Sequence, residues 1–309
     1  MKTSNLVKTM VFLLLAAVVI QGCKKDNQKG PSTTATSVNT SSDALVLTPY
    51  GRVPASQVFA DDPGTTVLVE NGRVVEKDDA SGKILKDLGA YDAQTSNTPP
   101  GKNLALRVNS FAVTSGTGYY TSASVPAGDT IKKFTTKWIV PVAPTNDSTQ
   151  FLWNGLDGGS LQPVLQWGNG STTWQIANWY YLNGYHHGTY ITIPAGTTLT
   201  GVITLASHTD TSYTYTEAFT GYPAANVTVV RPTLANSTAE CWESYTNSYI
   251  YFPNQSYVGM TNINCLTLEG THPSLPWVVG TGNITTPSGK NTVVVSDSGT
   301  NGEVDFYFR

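Results

Sequence analysis

Charge is scarce in this sequence: Asp, Glu, Lys and Arg together make up 13% of its 309 residues. Histidine occurs four times and cysteine three times, too few and too scattered for an evident metal cage. No G-x-S-x-G elbow, no H-E-x-x-H helix and no Walker loop is present, so the hydrolases and nucleotide enzymes built on those motifs are excluded. No basic cluster follows Lys25 and the net charge is −3, which argues against nucleic acid as a partner. No stretch beyond residue 42 repeats with a helical period. The unbroken apolar run, Val11 to Ile20, is too short to span a bilayer as a mature helix.

That run has the length of a signal-peptide core, with Lys2 and Lys8 as its basic start. It ends in Val-Ile-Gln-Gly-Cys, which resembles the lipobox of bacterial lipoproteins. The resemblance implies cleavage after Gly22 and a lipid on Cys23. The expected location is therefore the cell envelope, outside the cytoplasm, at the outer membrane or cell surface. Loss of residues 1–22 removes two of 18 basic residues and no acid, leaving 16 against 21 and a net charge of −5. Residues 23–42, rich in Lys, Asn, Ser and Thr, cannot bury enough surface to fold and read as a flexible tether.

Thr, Ser, Gly, Tyr and Asn are abundant instead, and β-branched and aromatic residues favour sheet. Within residues 43–102, Thr66–Glu70 and Arg73–Lys77 flank Asn71-Gly72, a hairpin signal, and Lys83–Leu88 follows a further turn. This small β segment, propeptide-like or accessory, ends in a linker at 94–102 (QTSNTPPGK). In residues 103–309, Ile131–Val140, Leu199–Ser207, Ser212–Thr220, Thr292–Ser296 and Glu303–Arg309 alternate apolar and polar residues. Tyr213, Tyr215, Glu217 and Phe219 fall on one strand face, as do Val304, Phe306 and Phe308. Many strands with short turns predict an all-β, antiparallel two-sheet sandwich. Cys241 and Cys265, an even pair in an oxidising compartment, are expected to form a disulfide. His186 and His187 are adjacent, so on a strand they face opposite sides and cannot share one ion. Asp297-Ser298-Gly299-Thr300 matches half of an aspartic-peptidase site, but it occurs once, and turn chemistry explains it better.

The middle of the chain carries more. Phe151 to Gly168 reads FLWNGLDGGSLQPVLQWG, Trp174 to Leu182 reads WQIANWYYL, and Ala239 to Tyr245 reads AECWESY. Over residues 110–309 these blocks resemble the eqolisin-type glutamic peptidases. Their pattern runs W-x-G-I-D-G, I-L-Q-x-G, a Trp-Tyr strand, then A-E and a second Glu. Trp153, Gly155 and Asp157 match the first block, Gln166 and Gly168 the second, and Trp179 and Tyr180 the third. Glu243 matches the catalytic glutamate. The flanks, from Trp138-Ile139-Val140-Pro141 to Pro276-Trp277, keep the same order.

The resemblance implies a concanavalin-like sandwich that hydrolyses polypeptide substrates at acidic pH without metal or cofactor. Glu243 would act as base and then acid, and Gln166 would orient water and hold the oxyanion. Asp157 would support them, and Trp179 and Tyr180 would line the cleft. Tyr181 stands where the family has a Glu, and Glu240 and Glu243 are three apart rather than four. Three apart on a strand, they face opposite sides, so only one can enter the cleft. Glu243 is the better choice because Ser244-Tyr245 follows it. The chain is expected to act as a monomer, meeting the membrane through its N-terminal lipid.

A second reading is a carbohydrate-active or carbohydrate-binding domain, with Trp167, Trp174, Trp179, Tyr180, Tyr181 and Tyr185 stacking on sugar rings. A glycosidase needs two carboxyl groups across one bond, and no E-x-D-x-x-E strand motif is present. A third reading is a surface lipoprotein without activity. A second carboxylate beside the Gln166–Glu243 pair, such as Glu217, would favour sugar chemistry.

Overall fold

The computed structural model describes residues 44–93, 117–127, 129–246, 248–280 and 286–309. The expected leader, Cys23, the tether and the linker at 94–102 lie outside these residues. From Asp43 onward the chain clusters as one compact unit.

The N-terminal part supplies β1 (Leu45–Thr48), β2 (Gly51–Pro54), β3 (Val58–Ala60), β4 (Thr65–Glu70), β5 (Arg73–Asp78) and β6 (Ile84–Ala90). Then come β7 (Thr117–Ser124), β8 (Ile131–Ile139), β9 (Gln150–Leu156), β10 (Leu161–Gly168), β11 (Ser171–Tyr181), β12 (Tyr185–His187) and β13 (Ile191–Thr192). The remainder forms β14 (Thr198–His208), β15 (Tyr213–Phe219), β16 (Val227–Arg231), β17 (Ser237–Ser244), β18 (Tyr257–Thr267), β19 (Val278–Val279), β20 (Thr292–Ser296) and β21 (Gly302–Tyr307).

Two large sheets result, making the expected sandwich. The front sheet runs β19-β7-β17-β9-β10-β11-β12-β3, with β13 beside β11. The back sheet runs β20-β21-β18-β8-β14-β15-β16-β4-β5-β6. Pairing is antiparallel except at two places, where β3 joins β12 and β4 joins β16 in parallel. Both exceptions graft the N-terminal segment onto the main body, one strand to each sheet.

Alternation explains which side of each strand is inward. On β8, Ile131, Phe134 and Trp138 are buried while Lys132, Lys133 and Lys137 are exposed. On β14, Leu199, Ile203 and Leu205 enter the core, and on β21 Val304 and Phe306 do so, followed by Phe308. Trp242 packs against Phe308 with ring centroids 4.4 Å apart, and each buried ring of this kind contributes roughly 1.5–3 kcal/mol. Strands β9 and β10 are buried along their whole length on both faces. Their apolar and aromatic sequence therefore reports a second cover, beyond the back sheet. That cover is the N-terminal segment, whose Tyr50 and Val53 join a separate cluster with Phe151, Trp153, Val164 and Trp179.

Asp61 ties this segment down. It accepts hydrogen bonds from the Tyr180 hydroxyl at 2.5 Å and faces Nδ1 of buried His186 at 3.0 Å. Nε2 of His186 faces the Leu182 carbonyl at 3.2 Å, so both ring nitrogens meet oxygen acceptors.

The expected disulfide is absent. Cys241 lies on β17 of the front sheet and Cys265 on β18 of the back sheet, and both remain buried thiols. Cys265 points between the sheets, whereas Cys241 joins the cluster on the far side of the front sheet. One Cβ thus points toward the other sheet and one away from it, a geometry no disulfide bridges. Burial pushes the Cys265 thiol up to about 12. Asp297–Thr300 is a packed turn between β20 and β21, with the Gly299 carbonyl accepting from Cys265 N.

Candidate functional site

The outer face of the front sheet brings together Glu243, Gln166, Trp153 and Trp179 of the residues singled out by sequence. Glu243 on β17 pairs with Phe151 on β9, and Phe151 pairs with Gln166 on β10. Gln166 in turn pairs with Gln175 on β11. Residues directly opposite in a ladder point to one face, so Glu243, Phe151, Gln166 and Gln175 form a row. Glu243 and Gln166 are separated by two strand spacings, roughly 10 Å between backbones. A planar amide and one water fit such a gap when both side chains extend over it.

Phe151 forms the floor between them, meeting Tyr245 edge-on at 6.0 Å. The Cys241 thiol donates to Glu243 Oε1 at 3.6 Å. Gln166 Nε2 donates to Gln175 Oε1 at 3.4 Å, a long bond that holds the amide loosely. The Tyr190 hydroxyl also meets Gln166, and burial holds that phenol well above its ordinary range. The Tyr190 ring packs at a tilt against His187, which lies 4.8 Å from the Trp179 ring. Burial lowers the His187 pKa, favouring a neutral ring there.

Trp153 shares this face, and the local sequence is shaped around its indole. A Cβ at Gly155 would meet the Leu161 carbonyl at 2.8 Å and the Trp153 ring at 3.1 Å. The glycine in W-x-G therefore leaves room for both the ring and the neighbouring strand. Trp179 also lies on this face.

Three expected placements are corrected. Tyr180, next to Trp179, points the other way, into the space between the sheets, and binds Asp61. It cannot line the same cleft, because consecutive strand residues alternate. Asp157 lies in the turn after β9, at the opposite end of that strand from Phe151. It takes a left-handed backbone (φ 47°) and faces the Arg231 guanidinium at 3.3 Å. Burial raises its pKa, with the Arg231 charge opposing. Its work is to close the β9–β10 turn rather than to touch the row. Finally, Trp167, Trp174 and Tyr180 belong to the inter-sheet core, so half of the six candidate sugar-stacking rings are structural.

Glu240 and Glu243 do face opposite sides. Glu240 points toward the back sheet and accepts from Thr136 Oγ1 at 2.6 Å. Burial holds its carboxyl well above the ordinary range. Glu217 is likewise fully buried, faces inward from β15, and is pushed up by burial. Among the described strand residues on the outer face of the front sheet, Glu243 is the one carboxylate.

Glu243 and Gln166 are only 4% and 3% exposed. The β1–β2 hairpin lies over them, a cover that no sequence signal announced. Tyr245, two residues past Glu243, donates from its hydroxyl to the Thr48 carbonyl at 3.0 Å. Asn169, just past the Gln166 strand, donates to the Leu47 carbonyl at 3.1 Å.

No protein-family profile matches this sequence, and no curated protein matches it. Among solved structures, scytalido-glutamic peptidase with a peptide-based transition-state analogue is 17% identical, with a TM-score of 0.42. SCP-B, a member of the eqolisin family of peptidases bound to the tripeptide Ala-Ile-His, is also 17% identical, with a TM-score of 0.38. Each alignment covers 62% of this chain and 98% of the other. The CBM2 module of Lactobacillus casei BL23 phage J-1 evolved Dit is 13% identical over 41% of this chain and 62% of that one, at 0.27.

Proposed function

We propose that the outer face of the front sheet is a peptide-bond hydrolysis site, with Glu243 and Gln166 as its working pair. The observation that carries this reading is their shared register with Phe151. Ionised Glu243 takes a proton from a water, whose oxygen attacks the scissile carbonyl carbon. A Gln166 Nε2–H donates to the oxygen as it becomes an oxyanion. When the tetrahedral intermediate collapses, the C–N bond breaks and the Glu243 carboxyl returns its proton to the leaving amine. A carboxyl that must be ionised for the first step and protonated for the second works best in acid. The substrate is a polypeptide. The chain acts outside the cytoplasm, held to a membrane by lipid on Cys23, as the lipobox-like sequence implies.

A glycosidase reading lacks its second carboxyl group, since Glu217 faces inward and Glu243 is the one carboxylate among the described strand residues of this face. The test is digestion of an acid-denatured protein between pH 2 and 8 by the wild-type chain and by Glu243→Gln. Cleavage peaking below neutrality and lost in the variant, with folding intact, is expected. Equal cleavage by both chains removes Glu243 from the mechanism.

A further inference from the structure

The β1–β2 hairpin is joined to neither large sheet: its strands pair only with each other. A two-stranded ribbon on its own is marginal in water, so side-chain contacts hold it in place. The chief contact is Tyr50, 7% exposed, whose ring meets Tyr185 at 5.2 Å and Trp179 and Tyr181 at 6.4 Å. Burial raises that phenol's pKa well above the ordinary value. Gln162, opposite Trp179, lies four residues before Gln166 on β10 and on the same face. On the other side of the Glu243–Phe151–Gln166 row, Tyr245 and Asn169 bind the carbonyls of Thr48 and Leu47. The hairpin therefore straddles that row, with backbone bonds on one side and an aromatic side chain seated on the other. Strand carbonyls met by side-chain donors, and one anchored ring carried here on the turn residue Tyr50, are what a bound peptide would present.

We propose that the hairpin is an internal occupant of the site, and that the Tyr50 pocket is a subsite for an aromatic side chain of the polypeptide substrate. This rests on the peptidase reading for its location, but the pocket itself can be tested without catalysis. Being part of the chain, the hairpin acts at a millimolar effective concentration, so weak contacts suffice to keep dilute substrate out. Its departure breaks no ladder bond of either sheet, because the connection to β3 begins only after the turn at Ala55–Gln57. Removing the ring opens the pocket while leaving the Glu243–Gln166 row untouched.

The test uses the full chain and a set of blocked hexapeptides that differ only in whether they carry one tyrosine. Calorimetry on Tyr50→Ala is expected to show binding of the tyrosine peptides at least tenfold tighter than wild type, with no such gain for the others. On wild type, saturating tyrosine peptide is expected to speed amide hydrogen exchange of residues 45–54 while β9 and β10 keep their protection. This second readout needs no substitution, so a poorly folded variant leaves it standing. Unchanged binding by a folded Tyr50→Ala chain, or residues 45–54 that stay protected under saturating peptide, overturns the proposal. If peptides bind as expected but no chain cleaves any substrate, the subsite stands and the peptidase reading fails. If cleavage occurs and Tyr50→Ala neither speeds it nor shows a tyrosine fixed relative to the cut bond, the reading stands and the subsite fails.

Discussion

Glu243 and Gln166 stand opposite the same residue, Phe151, from the two strands that flank it. The relation makes their roles separable by substitution. Gln166→Ala removes the oxyanion donor and should lower turnover about 10²–10³-fold with little change in substrate affinity. Glu240→Gln should retain activity, because that side chain faces the back sheet and Thr136. Steady-state kinetics on one peptide check both; inactive Glu240→Gln beside active Glu243→Gln assigns the chemistry to the wrong face.

Acid should stabilise the fold. Glu217 and Glu240 have folded pKa values raised by burial above those of the unfolded chain, and Asp305 is raised to about 6, again mainly by burial. Raised carboxyls contribute stability that is complete below their unfolded values, near 4, and is lost as pH climbs through the folded ones. Urea midpoints should fall from pH 4 to pH 8, and Glu240→Gln should flatten part of that slope. A wild-type midpoint that rises over this range contradicts the argument.

Two thiols should be recoverable from residues 43–309. Unfolding without reductant should let an alkylating reagent modify Cys241 and Cys265 fully, and reductant should leave the melting temperature unchanged. A single cross-linked peptide spanning both cysteines in a mass map would restore the disulfide.

The proposed lipid on Cys23 is tested at that residue. Cys23→Ala should leave the chain unprocessed or move it to the soluble fraction, which fractionation followed by mass analysis of the N-terminus detects. A processed variant that still partitions with membranes rules the anchor out.

Turn chemistry and alternation carried much of the fold. Asn71 and Gly72 both take positive φ and close β4 on β5 with Glu70 opposite Arg73, as the Asn-Gly pair predicts. The period of two placed Val304, Phe306 and Phe308 inward and set Glu240 against Glu243. Applied to Trp179 and Tyr180, the same rule separates them, and only the family resemblance had put both in the cleft. Alternation could not tell which sheet each cysteine joins, since that depends on pairing between distant strands. Nor could it show Tyr50 on Trp179 or Asp61 on His186, contacts between residues more than a hundred positions apart.

The two parallel junctions bear on how this protein comes to be folded. Val67 pairs with Val229 and Phe59 with His186, so β4, though closed early on β5, and β3 each wait for a parallel partner more than a hundred residues further along the chain. Loops that long must close before either contact gives anything back, which makes the topology slow. Until then β12 and β16 each present a bare edge able to recruit strands from other molecules. A chain of this design gains from folding in dilute company, and overexpression in a crowded compartment should yield aggregates in which those two edges are paired wrongly.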